Sequence, residues 1–160
     1  MPGSRPTSLA CAALLAATAL ACGEGEGQSS YREHVERRCT AYKEAREAAA
    51  RRVDDRLGGK SPDELAPGEL RRVAPALGRV QRITARVVAD LKALPRPAEG
   101  RSALAEAFEH ADAGVAAEAK GVRAAQRGDA EAMLAALAET GEEFSAANRA
   151  GEPYGLKACG

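Results

Sequence analysis

Apolar residues along this chain recur at intervals of three and four, the period of helices that each bury one face. The first stripe is Tyr31, Val35, Cys39, Tyr42, Ala45, Ala49, Val53 and Leu57. Ser30 with Glu33 three residues on has the form of a capping box, and Gly58-Gly59 reaches the left-handed backbone that ends helices. A helix is therefore expected over about Ser30–Leu57. Ser61-Pro62-Asp63-Glu64 restarts the chain with an N-cap, a Pro at the first helical position and first-turn acids. Leu70, Val73, Leu77, Val80, Thr84, Val87, Leu91 and Leu94 follow as the second stripe. Pro67 can split off a leading turn, Pro75 should kink the helix, and Pro95 and Pro97 stop it. A third helix is expected from near Ala98 to Arg127, with Leu104, Phe108, Ala111, Val115, Val122 and Ala125 buried. Gly128 ends it and Asp129 caps the fourth, over Asp129–Ala150, expected to bury Met133, Leu137, Phe144 and Ala147. So short a connection forces antiparallel neighbours. The expected fold is all-α: an antiparallel up-down-up-down four-helix bundle.

Composition sharpens this picture. Among 160 residues the hydrophobic share is 45%, but 38 of those side chains are Ala, and from Gly23 onward only 25 residues are Val, Ile, Leu, Met, Phe or Tyr. The core is thin, and Ala-lined helices must approach closely to make one. Five aromatics, no Trp and no β-branched runs exclude an aromatic-rich β-sandwich. With 23 basic and 23 acidic side chains, the chain has no net pull toward nucleic acid. Arg outnumbers Lys by 18 to 5, a coding bias that suggests a high-GC bacterium.

The N-terminus is read as an address rather than as structure. Arg5 precedes an apolar run from Leu9 to Leu20, and Ala19-Leu20-Ala21 offers small residues for cleavage, so residues 1–21 are expected to be a secretory signal peptide. Ala19-Leu20-Ala21-Cys22 resembles the lipobox of bacterial lipoproteins, with Ala19 standing where Leu is usual. The resemblance implies a diacylglycerol thioether and palmitate-type acylation at Cys22. It also implies anchoring to the outer face of the cell membrane or to the outer membrane, the latter resembled by Gly23 at the following position. Cysteine parity agrees: Cys11 leaves with the signal, and lipidating Cys22 leaves Cys39 and Cys159 as one pair. Residues 22–29 are then expected to be the lipidated Cys and a flexible tether, and residues 30–160 a single domain.

In an exported protein two remaining thiols are expected to form a disulfide. Cys39 lies about 13 Å along helix one, and the tail from Gly151 to Ala158 can span about 27 Å when extended. In an up-down-up-down bundle helix four ends where helix one begins, so the tail can be tied back to helix one. Tyr154 and Leu156 are expected to pack beside the bridge. The early-helix Cys and the terminal Tyr154-Gly155-Leu156-Lys157-Ala158-Cys159 resemble small helical lipoproteins of high-GC bacteria. That resemblance implies no activity.

Candidate chemistry is sparse. His34 and His110 each lack the Glu three residues before that a di-iron bundle uses. Covalent haem attachment would need Cys-x-x-Cys-His, which is absent. A bundle holding a metal ion or haem through His34, His110 or Met133 is the alternative reading, and no cofactor or metal ligand set is expected. Without a Gly-x-Ser-x-Gly, His-Glu-x-x-His or phosphate loop, the chain is expected not to be an enzyme. The Asp and Glu residues read as lying at helix-surface spacings. Residues 69–97 hold seven basic and two acidic side chains, whereas residues 98–152 hold five and eleven. The contrast is read first as complementary faces within the bundle. Arg79, Arg82 and Arg86, spaced to share one side, are the candidate interaction face for an anionic envelope component or an acidic protein. The functional expectation is a lipid-anchored cell-envelope bundle that acts as a structural or binding module.

Overall fold

A computed structural model describes residues 24–159. The signal segment 1–21 and the lipidation candidate Cys22 lie outside the described residues. Four helices make up the bundle: α1 (Glu24–Leu57), α2 (Pro67–Lys92), α3 (Arg101–Arg127) and α4 (Ala130–Gly151). Short 3-10 turns cover Pro62–Glu64, Glu152–Tyr154 and Leu156–Cys159. Among the described residues there is no strand, and none of the helices is long and apolar enough to cross a membrane. The fold is the all-α up-down-up-down bundle that the stripes predict, its C-terminal tail joined to α1 by the Cys39–Cys159 disulfide, with Cα atoms 4.8 Å apart.

Local signals account for most boundaries. Pro67 separates the Pro62–Glu64 turn from α2, and the Glu69 carboxylate accepts the Ala66 backbone N–H at 2.9 Å to close the N-terminus. The helix runs on through Pro75. Asp129 caps α4 by accepting the Ala132 N–H at 3.0 Å. Gly128, at φ 77°, makes the turn before it and packs against Pro67, whose carbonyl oxygen would lie 2.8 Å from a Cβ at this position.

Two boundaries and one face differ from expectation. Residues 24–29, read as a flexible tether, form the first turns of α1. The Gln28 side-chain amide donates to the Pro153 carbonyl at 3.3 Å, so the tail supports these turns. α3 begins at Arg101 rather than near Ala98, because Gly100 at φ 70° is the left-handed step into it. Its closeness to Tyr154 leaves no room for a Cβ. Leu137 is 40% exposed, not buried. α4 instead buries Met133, Ala136, Ala147 and Gly151, because it meets α3 through small residues. A Cβ at Gly121 would lie 3.6 Å from that of Ala136, and one at Gly114 would lie 2.9 Å from the Phe144 ring. That close approach turns Leu137 outward.

The thin core divides into three clusters. At the clasped end Tyr31, Val35, Cys39, Leu104, Phe108, Tyr154 and Leu156 pack together, with the Tyr31 and Tyr154 rings edge to face at 6.3 Å. Tyr154 and Leu156 thus sit beside the bridge, as the tail sequence suggests. At the far end Val53, Leu65, Leu70, Val73 and Met133 form a second cluster. Between them lies only a small third one of Val88, Ala111 and Ala147, flanked by Val115 and Phe144. α3 packs closely on α4, and α2 on both α1 and α3, but α1 and α4 barely touch. Along its middle, α1 offers Ala45, Ala48, Ala49 and Ala50 among charged residues, too little bulk to reach α4.

Candidate functional site: a cleft between the first and last helices

The space left between α1 and α4 is a cleft of about 500 Å³, within the usual size of small-molecule sites. Its floor is apolar: Val87, Val88 and Leu91 from α2, Ala111 from α3, and Phe144 and Ala147 from α4. The tail closes one end through Leu156, Ala158 and Cys159. Polar side chains on α1, notably Lys43, Arg46 and Glu47, stand along one rim, with Asn148 contributed by α4. The Arg46 guanidinium donates to the Cys159 carbonyl, tying that rim to the clasp. Tyr42 joins α1 to α2 beside the cleft by donating to the Asp90 carboxylate at 2.5 Å, and this bond holds its phenol above the ordinary range.

One buried carboxyl group borders this apolar space. Glu118 lines the cleft from α3. Its Oε1 lies 3.3 Å from the Thr84 hydroxyl, and its Oε2 is buried without a hydrogen-bond partner. The same Thr84 hydroxyl lies 3.1 Å from the Val80 carbonyl. A hydroxyl has one proton to give. If Thr84 donates to Val80, its oxygen is left as an acceptor, and a protonated Glu118 can donate to it. The geometry therefore accommodates the neutral acid, and desolvation raises the pKa from 4.5 to about 7, against smaller opposing effects of the Thr84 hydrogen bond and the Arg46 charge.

Glu118 departs from the expectation that every acid sits at a helix-surface spacing. It falls on the α3 stripe, three residues after Val115 and four before Val122. That register was the available signal for it, as it was for Thr84 on the α2 stripe.

The other candidates are dispersed. His34 is exposed, its ring Nδ1 2.7 Å from the Ser30 carbonyl. His110 pairs across the α3–α4 seam, with its Nδ1 2.7 Å from a Glu143 carboxylate oxygen. Met133 is buried in the far-end cluster. The structure does not bring these three together. Among the described residues no group of three or more His, Cys, Asp or Glu side chains could hold a metal ion. Arg79, Arg82 and Arg86 are all exposed on α2, and none makes an ion pair with a described residue. Of the basic segment, Lys92 reaches across to α3, at 2.5 Å from Asp112. The complementary-face reading therefore covers one end of α2 and leaves the Arg trio open. No protein-family model, curated protein or solved structure matches this chain.

Proposed function

We propose that this chain is an exported, lipid-anchored bundle of the cell envelope that works by binding, and that the α1–α4 cleft is where it binds a small, largely apolar molecule. The observation that carries the binding role is the cleft itself: an apolar floor, a closed end and a single buried carboxyl, in a bundle whose consecutive helices pack on one another. Deep apolar surface with few polar groups is the usual make-up of a ligand site. The carboxyl and hydroxyl beside the cleft suit recognition: Glu118 and Thr84 bond through Oε1, and Oε2 is left without a partner. The lipid anchor is supported by the Ala19-Leu20-Ala21-Cys22 sequence. The Cys39–Cys159 bridge adds support for export to an oxidising compartment.

The two halves have separate tests. Metabolic labelling with an alkyne palmitate should mark the wild-type protein and not Cys22→Ser; label retained by the mutant refutes the anchor. For the cleft, the neutral fluorescent dye N-phenyl-1-naphthylamine should brighten on binding the wild-type protein. Ala50→Trp, which adds bulk at an exposed position on the α1 side of the cleft, should abolish that signal without loss of stability. Equal dye binding by both proteins refutes the cleft as the site.

A further inference from the structure

We propose that the cleft selects apolar molecules that carry one protonated amine, and that the Glu118 carboxyl is the group that receives it. The inference rests on the binding role of the cleft and adds the chemistry of its ligand. Glu118 Oε2 is a buried acceptor with no donor, and a buried oxygen without a partner is held at a cost until a donor reaches it. Thr84 cannot supply that donor, because its one proton is shared between the Val80 carbonyl and the other carboxyl oxygen. Because Glu118 lines the cleft, a molecule bound there can bring that donor once the carboxyl turns toward it.

An ammonium group meets this demand better than a hydroxyl. It brings a full charge opposite a carboxylate within an apolar space, where attraction is screened far less than in water, and charge-assisted hydrogen bonds are about twice as strong as neutral ones. The rest of the cleft is arranged to agree. The Arg46 guanidinium is engaged by the Cys159 carbonyl, and Lys43 and Glu47 stand at exposed positions on the α1 rim. The linings from α2, α4 and the tail contain no titratable side chain apart from the bridged Cys159. Glu118 is thus the one ionisable group among the apolar residues of the floor. The apolar surface around it fits an alkyl or aryl body.

Binding an ammonium ion should drive the proton off Glu118, so amine binding releases protons to buffer near neutral pH, whereas alcohol binding does not. Arg46, Lys43 and Glu47 are the charged groups that face this change, all from α1, and Arg46 assists it by favouring the carboxylate.

The test uses the mature protein in phospholipid nanodiscs, titrated calorimetrically with decylamine, decanol and decanoate after subtraction of empty nanodiscs. At pH 7.5 decylamine should bind at least tenfold more tightly than decanol. In Glu118→Gln the advantage should shrink to threefold or less. At pH 6.5, titrations in two buffers of different ionisation enthalpy should show proton release with decylamine and not with decanol. Decanol equal to decylamine, decanoate tightest of the three, or an amine preference that survives Glu118→Gln overturns the assignment while leaving the cleft a binding site. Failure of all three molecules to bind the wild-type protein overturns the binding role as well.

Discussion

Replacing Glu118 by Gln should make the bundle more stable above neutral pH and leave it nearly unchanged in acid. The amide keeps the shape of the carboxylic acid and removes the charge. Folding raises the acid from 4.5 to about 7, so the folded protein holds this proton more tightly than the unfolded chain. Below pH 4.5 both states are protonated and burial carries no charge penalty. Between pH 4.5 and about 7 the unfolded chain ionises while the folded carboxyl still holds its proton, so stability falls over that window and levels off once both states are ionised; the slope is negative wherever the folded state binds more protons. At about 1.4 kcal/mol for each tenfold change in proton affinity, the loss between pH 4 and pH 9 is about 3 kcal/mol, and about 2 kcal/mol if water reaches the ionised group. The assay is urea denaturation of the oxidised wild-type and Glu118→Gln proteins at intervals from pH 4 to pH 9. The difference between the two proteins isolates Glu118, because the acids held low by local hydrogen bonds, Asp63 and Glu69, titrate alike in both. Wild type should fall behind the variant progressively above pH 5. A difference that is flat with pH, or a variant less stable than wild type at pH 8, would refute the reasoning, because either result places Glu118 in a solvated or paired setting.

Other consequences are as direct. Cys159→Ser opens a loop closed across a sequence separation of 120; the chain-entropy relation gives about 5 kcal/mol, so denaturation should show a loss of 3–5 kcal/mol that reductant reproduces in the wild type and leaves unchanged in the variant. Gly128→Ala forces a side chain into a left-handed backbone and against the Pro67 carbonyl, and should cost about 2–4 kcal/mol from the conformational and packing penalties together. Arg79→Glu with Arg82→Glu should shift stability by no more than about 0.5 kcal/mol, as expected of exposed positions, yet reduce co-sedimentation with anionic vesicles. Arg86 is kept in that variant because it neighbours the Tyr42–Asp90 bond. Unchanged vesicle binding would remove the Arg trio as a contact surface.

What the sequence could show of this molecule follows from which features are local. Stripes at helical spacing, Asp129 as a cap, the Gly128 turn and the Pro67 interruption are all decided within a few residues, and each stands where the pattern puts it. The disulfide was legible because thiol parity, tail length and bundle topology converge on one pairing. The start of α1 was not, because its leading turns rest on a contact between Gln28 and Pro153, 125 residues apart in the chain. Leu137 was misplaced because periodicity alone favours large side chains. The α3–α4 seam is set by Gly114, Gly121 and Ala136, and helices that approach through small residues turn adjacent large ones outward.

The cleft belongs to a third kind of feature, present in the sequence as a deficit. Ala45 to Ala50 on α1, without one larger apolar residue, cannot fill a bundle core, and Glu118 faces the same level from α3. A chain selected only for stability would put Leu at one of these positions and an apolar residue at Glu118, since burying a carboxyl against hydrocarbon opposes folding. Both deficits occur at one level of the bundle, and the strongest covalent constraint in the molecule lies at its edge. The Cys39–Cys159 bridge fixes the tail across the end of the cleft, so the opening between α1 and α4 is maintained without packing between those helices. The bridge can thus keep the bundle folded while its midsection stays unfilled. On this argument, reducing the disulfide should weaken dye binding before the helices melt. Circular dichroism and dye fluorescence recorded together during reduction would separate the two, and loss of both signals in step would show that the clasp supports the bundle as a whole rather than the cleft.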